Sequence, residues 1–149
     1  MRSPAGKPSF AVGGPHFSVS HSGPHWACCF AGENVGLDIQ ERREVDAVRL
    51  AERFFTPAEA ACCRRGGVEM FYRIWVRKEA LVKYADCTLA RLLGRAQVAD
   101  ESGVKDRVFW HGEVVALREF RLGETIIGAV AAKEIKQLCL REMSGRKQI

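Results

Sequence analysis

Nowhere in its 149 residues does the chain approach the roughly 20 consecutive apolar residues that span a bilayer, so no membrane partner is expected. The first ten residues, MRSPAGKPSF, lack the apolar core of a secretory leader, which makes the expected location cytoplasmic. The six cysteines stand at 28, 29, 62, 63, 87 and 139, as two adjacent pairs and two singletons. That spacing holds no C-x-x-C element of a structural zinc site and no evident disulfide framework. Free thiols in a reducing compartment are the simpler expectation. Cys28 and Cys29 lie in an apolar run and are expected to serve as small buried hydrophobes. Repeats and low-complexity tracts are missing, and so are a basic–aromatic ribonucleoprotein signature and a helix-turn-helix, so nucleic acid is not an expected partner.

What remains is an ordinary globular composition, 47% hydrophobic and 28% charged, in a length that suits one domain. The net charge is +5 and the pI about 9.0. Such a balance favours anionic partners, either nucleotide phosphates or an acidic protein, and is equally met by a solvated basic surface.

Residues 1–15 are rich in Gly and Pro and read as an extended leader. HFSVSHS (16–22) alternates polar and apolar side chains as a half-buried strand does. HWACCFA follows the turn signal Ser22-Gly23-Pro24, and ENVGLDIQ follows Gly32-Glu33-Asn34, so an antiparallel three-stranded meander is expected. Residues 44–84 carry helical spacing. Thr56-Pro57-Ala58-Glu59 is a strong helix start, with Thr56 as cap, Pro57 in the first turn and Glu59 completing a capping box. The box alone accounts for Glu59 and predicts that Glu59→Gln is nearly silent. Gly66-Gly67 ends this short helix, and a longer one is predicted from Val68 to Ala85. Residues 104–131 return to β-rich segments, and a basic tail, helical or frayed, begins near 132. Strands, then helices, then strands predict an α+β lobe over 16–131, an antiparallel sheet packed with helices.

The long helix, MFYRIWVRKEALVKYA, carries the first chemical signal. At 100° per residue, Phe71, Ile74, Trp75, Leu81 and Val82 share a face, with Lys78 near its middle. Trp75, Glu79 and Lys83 form a stripe beside it. A lysine among apolar neighbours needs a matched charge, or else it snorkels to solvent, leaving Glu79 and Lys83 as an ordinary surface pair. In GLDIQ, Asp38 and Gln40 leave one face of a strand while Leu37 and Ile39 leave the other. Asp38 either wants a cation or partner, or marks a polar solvent-facing side. His21 and His25 have the i, i+4 spacing of zinc ligands, but Gly23 and Pro24 between them break any helix that would give the spacing meaning. Ser20-His21-Ser22 places serine and histidine on opposite faces of a strand, which gives a nucleophilic triad little support.

Taken in order, these segments resemble the C-terminal half of a two-lobed, surfactin-synthetase-activating 4′-phosphopantetheinyl transferase. The matching pieces are Gly6-Lys7-Pro8, Phe17-Ser18-Val19-Ser20-His21-Ser22, and Val35-Gly36-Leu37-Asp38-Ile39-Gln40. They continue with Ala51-Glu52-Arg53-Phe54-Phe55 and Glu59, then Phe71-Tyr72-x-x-Trp75-x-x-Lys78-Glu79-Ala80-x-x-Lys83. The resemblance implies one lobe of that fold, and transfer of the phosphopantetheine arm of coenzyme A to a serine of an acyl or peptidyl carrier protein with Mg²⁺. It implies Asp38, Gln40 and Glu79 as metal ligands. It implies contacts of Lys7, Pro8, Ser20, His21 and Lys83 with coenzyme A, His21 at the 3′-phosphate and Lys83 at the pyrophosphate. Asp38, Glu79 and Lys83 would carry catalysis, Glu79 taking the serine proton directly or through water, with Trp75 and Lys78 in support.

The sequence departs from the family pattern at three points. Gln40 stands where two-lobed enzymes usually carry glutamate, which implies weaker metal binding. Asp86 and Thr88 replace two glycines after the helix, which bears on the carrier-protein face. The N-terminal lobe is not in this sequence. Short holo-acyl-carrier-protein synthases build their site between identical subunits, so a homodimer is an expected substitute, with an apolar interface drawn chiefly from the 107–131 strands and the long helix. The alternative is a truncated, non-catalytic remnant that binds coenzyme A or an acidic protein.

Overall fold

The computed structural model describes residues 6–10 and 13–143. Parts of the expected leader (1–5 and 11–12) and of the expected tail (144–149) lie outside the described residues. The elements are β1 (His16–Ser22), β2 (His25–Ala31), β3 (Val35–Glu41), α1 (Ala47–Phe54), α2 (Pro57–Ala85), α3 (Leu89–Leu92), β4 (Ala99–Asp100), β5 (Gly103–Val104), β6 (Arg107–Trp110), β7 (Glu113–Leu122) and β8 (Ile126–Ala132). The order is strands, helices, strands, and the fold is α+β as the pattern predicts.

The central sheet is antiparallel, in the order β3-β8-β7-β6. Its innermost strand, β8, is the apolar IIGAVAA, buried at every position because both faces of the sheet are covered. One face packs on α1 and α2 through Val115, Leu117, Ile127, Ala129 and Ala131. The other buries Val35, Leu37, Ile39, Phe120 and Val130 beneath Ala27, Cys29 and Ala31 of β2. Ile135 and Leu138 of the tail join that second core, and residues 133–143 form neither helix nor strand.

The expected three-stranded meander is corrected. β1 and β2 form a two-stranded sheet of their own, and β3 takes its ladder from β8, with Leu37 opposite Val130. The free edge of β3 is closed by side chains instead. Ser18, Ser20 and Ser22 lie on one face of β1, and their hydroxyls accept the N–H groups of Leu37, Ile39 and Glu41 at 3.0, 3.2 and 2.9 Å. A serine at every second position thus replaces a backbone ladder and blunts an edge that would otherwise be open to pairing.

α2 begins with the expected capping box, Thr56 and Glu59 each satisfying the other's backbone N–H. Gly67, at φ 60° and ψ −149°, breaks it into arms 57–66 and 68–85, in a region of backbone space open to glycine alone. Glu59 and Lys78 are nineteen residues apart, about 28 Å along a straight helix. Their side chains nonetheless meet at 2.9 Å, both fully buried. The arms therefore fold back on each other as a helical hairpin. Of the two readings open for Lys78, the matched charge is the one found, and the lysine does not snorkel. Glu59 is more than a cap, so Glu59→Gln is no longer expected to be silent; it strips a buried ammonium of its partner and costs about 3 kcal/mol or more.

Cys28 and Cys29 also need correction. Cys28 is exposed and Cys29 half-buried, because the period-2 alternation of β2 sends residues 26, 28 and 30 outward. All six cysteines are free. Among the described residues the exposed large apolar side chains are Trp26 and Phe30 on β2, the cross-strand pair Phe109 and Val114 on β6 and β7, and Phe10, Leu140 and Met143 outside the strands and helices. The long helix contributes none of them.

β3 lies so close to the second arm of α2 that a Cβ on Gly36 would sit 2.0 Å from the Ala80 carbonyl oxygen and 2.4 Å from the Tyr84 nitrogen. Both are backbone atoms and cannot swing aside. Gly36→Ala is expected to lower the unfolding free energy in urea by about 2–3 kcal/mol. Gly32→Ala, where the added Cβ meets nothing within 4 Å, serves as the control and is expected to change it by less than about 0.5 kcal/mol.

Candidate active site

The approach of β3 to α2 brings the strand acid to the helix stripe. Asp38 and Gln40 leave the helix-facing side of β3 and Leu37 and Ile39 the hairpin-facing side, as the alternation predicts. Asp38 is not solvent-facing, however: it is 3% exposed, because hairpin and helices cover both faces. Its Oδ1 accepts from Ser20 Oγ at 2.8 Å and from Lys83 Nζ at 2.9 Å, and its Oδ2 from Gln40 Nε2 at 3.2 Å. Lys83 also reaches the Val19 carbonyl at 3.4 Å. The surface pair Glu79–Lys83 is thereby corrected, since the ammonium turns to Asp38 instead.

Glu79, one turn before Lys83, points into the same region. Burial first, and the negative charge of Asp38 second, push its carboxyl up to about 7, with Lys83 opposing. A group so placed exchanges its proton near neutrality. Glu79 and Gln40 line a cleft of about 310 Å³ whose wall is Leu50, Phe54, Phe71, Tyr72 and Trp75. Phe55, Phe71 and Trp75 stack in sequence, with ring centroids 5.3 and 5.8 Å apart. Phe54, Phe71, Tyr72 and Trp75 belong to the sequence motifs; Leu50 emerges as a wall residue only from the packing of α1 on α2.

The other predicted contacts lie elsewhere. Lys7 and Pro8 line a second cleft of about 700 Å³ together with His16, Asn34 and Asp86, and Lys7 Nζ donates to Asn34 Oδ1. Burial lowers the Lys7 ammonium, and the Asp86 charge opposes that. Asp86 caps α2 in the left-handed conformation, φ 48°, a position that glycine would occupy without cost. His21 leaves the outer face of β1, exposed, and stacks on Trp26 at 4.9 Å. Adjacent strand positions thus split Ser20, at Asp38, from His21.

Among the described residues no three His, Cys, Asp or Glu side chains gather as a metal cluster. The donor set of Asp38, Glu79 and Gln40 still suits a hard cation. Two carboxylates, Asp38 close enough to raise the proton affinity of Glu79, with an amide beside them, are the oxygen chemistry that Mg²⁺ takes, the remainder coming from phosphates and water. Gln40 now donates to Asp38 through its nitrogen, and an amide turn would present its oxygen.

Fold and site define an α+β lobe with a strand carboxylate, a helix carboxylate and a helix lysine converging beside an aromatic cleft. The family model described as the 4′-phosphopantetheinyl transferase superfamily matches residues 34–131, and the chain belongs to that superfamily. It is similar to 4′-phosphopantetheinyl transferase Sfp of Bacillus subtilis, 32% identical over 72 residues, 46% of this chain and 32% of that protein. It is also similar to 4′-phosphopantetheinyl transferase AcpT of Salmonella typhimurium, 42% identical over 85 residues, 52% of this chain and 44% of that protein. The chain spans less than half the length of these curated relatives.

The raised carboxyl of Glu79 makes stability depend on pH with a definite sign. Between its ordinary value of 4.5 and about 7 the folded chain holds a proton that the unfolded chain has lost. This group therefore contributes a penalty that grows as pH rises through that window and is complete above it. The penalty is at most about 3 kcal/mol. Glu79→Gln is expected to raise the unfolding free energy at pH 8, and to leave it nearly unchanged at pH 4.5. Urea unfolding of parent and variant at the two pH values measures the difference.

Proposed function

We propose that this chain transfers the 4′-phosphopantetheine arm of coenzyme A to a serine of an acyl or peptidyl carrier protein, with Mg²⁺. The observation that carries the reading is the convergence of Asp38, Glu79 and Lys83, from two separate motifs of a superfamily member, at one site. Asp38, Glu79 and Gln40 would hold the cation, which when bound supplies charge neutralisation and alignment at the pyrophosphate. In the step itself the carrier serine oxygen bonds to the phosphorus that bears the pantetheine arm. The bond from that phosphorus to the leaving 5′-phosphate of 3′-phosphoadenosine breaks. Glu79 takes the serine proton, directly or through water. The Lys83 ammonium, held by Asp38, stands ready for the negative charge that grows on the leaving phosphate. The aromatic wall of Phe71 and Trp75 limits water beside Glu79. Lys7 in its own cleft, and His21 on the outer face of β1, would take the other phosphates of coenzyme A.

No helix among the described residues is long and apolar enough to cross a membrane, and six free thiols suit a reducing cytoplasm. Trp26 and Phe30, 72% and 65% exposed on β2, favour association with a second copy. Light scattering on the purified chain is expected to give twice the monomer mass, and a stable monomer would contradict the pairing.

Incubation with coenzyme A, Mg²⁺ and an apo carrier protein, followed by mass spectrometry, tests the activity. The carrier is expected to gain one phosphopantetheine arm, and Asp38→Ala or Glu79→Ala to lower the rate by at least about a hundredfold. Gln40→Glu is expected to lower the Mg²⁺ concentration for half-maximal rate. Transfer at the parent rate by both alanine variants would remove these residues from the reaction.

A further inference from the structure

We infer that Lys78 is a positioning residue, whose buried bond to Glu59 closes the helical hairpin of α2 and sets the rotation at which Glu79 and Lys83 face Asp38. The inference rests on the proposed role of those three residues.

The geometry around Lys78 ties together three segments that are distant in sequence. Its ammonium meets Glu59 Oε2 of the first arm at 2.9 Å, donates to the Ala96 carbonyl of the segment between α3 and β4, and stands 5.5 Å over the Phe55 ring. Glu59 is saturated in turn. Its Oε2 also accepts from the Thr56 N–H at 2.9 Å, and its Oε1 from the Val98 N–H at 2.7 Å. Both residues are 0% exposed. A buried pair of this kind adds little net stability over an apolar pair of the same size, because desolvation offsets the attraction. What it adds is direction. The bonds run to fixed points on the first arm and on residues 96–98, so the second arm can be neither rotated nor slid without leaving a charge unpaired.

That second arm needs such a constraint. The backbone at Gly67 is a glycine-only corner with no side chain to fix its angle. On the sheet side the arm rests on β3 through Ala80 and Gly36, Lys83 bonds to Asp38, and Arg73 and Arg77 reach Glu119 of β7; Lys78 supplies the tie on the opposite side, to the first arm and residues 96–98. Glu79 follows Lys78 by one residue, about 100° round the helix, and Lys83 lies one further turn along. The rotation that seats Lys78 on Glu59 is the rotation that turns Glu79 toward Asp38. Reacting groups tolerate little error, since a displacement of about 1 Å can cost about a hundredfold in rate.

The test separates this role from plain support of the fold. Lys78→Met alone leaves the Glu59 carboxylate buried and unpaired and is expected to lower the melting temperature sharply. Glu59→Gln combined with Lys78→Met removes both charges, and the glutamine oxygen still accepts from the Val98 N–H. The double variant is expected to regain the melting temperature to within a few degrees of the parent. Its kcat in the carrier-modification assay is expected to stay at least about tenfold below the parent, with the KM for coenzyme A within about threefold. Recovery of kcat along with melting temperature would make the pair purely structural and overturn the inference. If the parent itself transfers nothing, the proposed function fails, and a crystal structure of the double variant then decides the positioning claim. Glu79 displaced from Asp38 by more than about 1 Å supports it, and an unmoved Glu79 contradicts it.

Discussion

The contact between β3 and the second arm of α2 is the constraint on which the rest of the molecule depends. It brings backbone against backbone, with no room for a Cβ at Gly36. At that separation a short strand aspartate and a long helix lysine meet directly, without a bridging residue. The close approach also desolvates what lies between. Burial explains both why Asp38 must be paired and why Glu79, placed beside it, gives up its proton so reluctantly. The charges of the site are a consequence of how tightly strand and helix pack.

Two devices hold that contact from opposite sides. Behind β3, three serines of β1 supply hydroxyls to alternate backbone N–H groups and press the hairpin on the strand edge. Ser20 takes part in both tasks, accepting from Ile39 and donating to Asp38. Behind the second arm, the Glu59–Lys78 pair closes the helical hairpin. Neither device is a large source of net stability. Each exchanges an unpaired polar group for a paired one, and this favours one arrangement over many of similar energy.

Much of this was legible in the sequence, because it rests on local rules. Period 2 in GLDIQ separates Asp38 and Gln40 from Leu37 and Ile39, and the structure keeps that separation. Thr56 to Glu59 caps a helix, and Gly66-Gly67 turns it. Trp75, Glu79 and Lys83 share a stripe because 3.6 residues make a turn. What escaped was set by partners far away in the chain. The ladder of β3 went to β8, nearly ninety residues on, in place of β2. Lys78 found its acid nineteen residues earlier, across a corner whose angle no local rule gives. Cys28 faces outward because the register of β1 on β2 decides which side of the hairpin meets the core. The resemblance assigned both Ser20 and His21 to coenzyme A, and the strand alternation already legible in the sequence sends them to opposite faces, Ser20 to Asp38 and His21 to solvent.

The account stands on Asp38 and Glu79 forming one coupled charge site. Carbon-13 NMR titration of the glutamate side-chain carboxyls, with Glu79 assigned by its loss in Glu79→Gln, measures this directly. The account predicts a midpoint for Glu79 at about 7 in the parent, moving down toward the ordinary carboxylate range in Asp38→Asn as one of its two causes is removed. A Glu79 that titrates at the ordinary 4.5 in the parent would mean that the two carboxylates do not share a site.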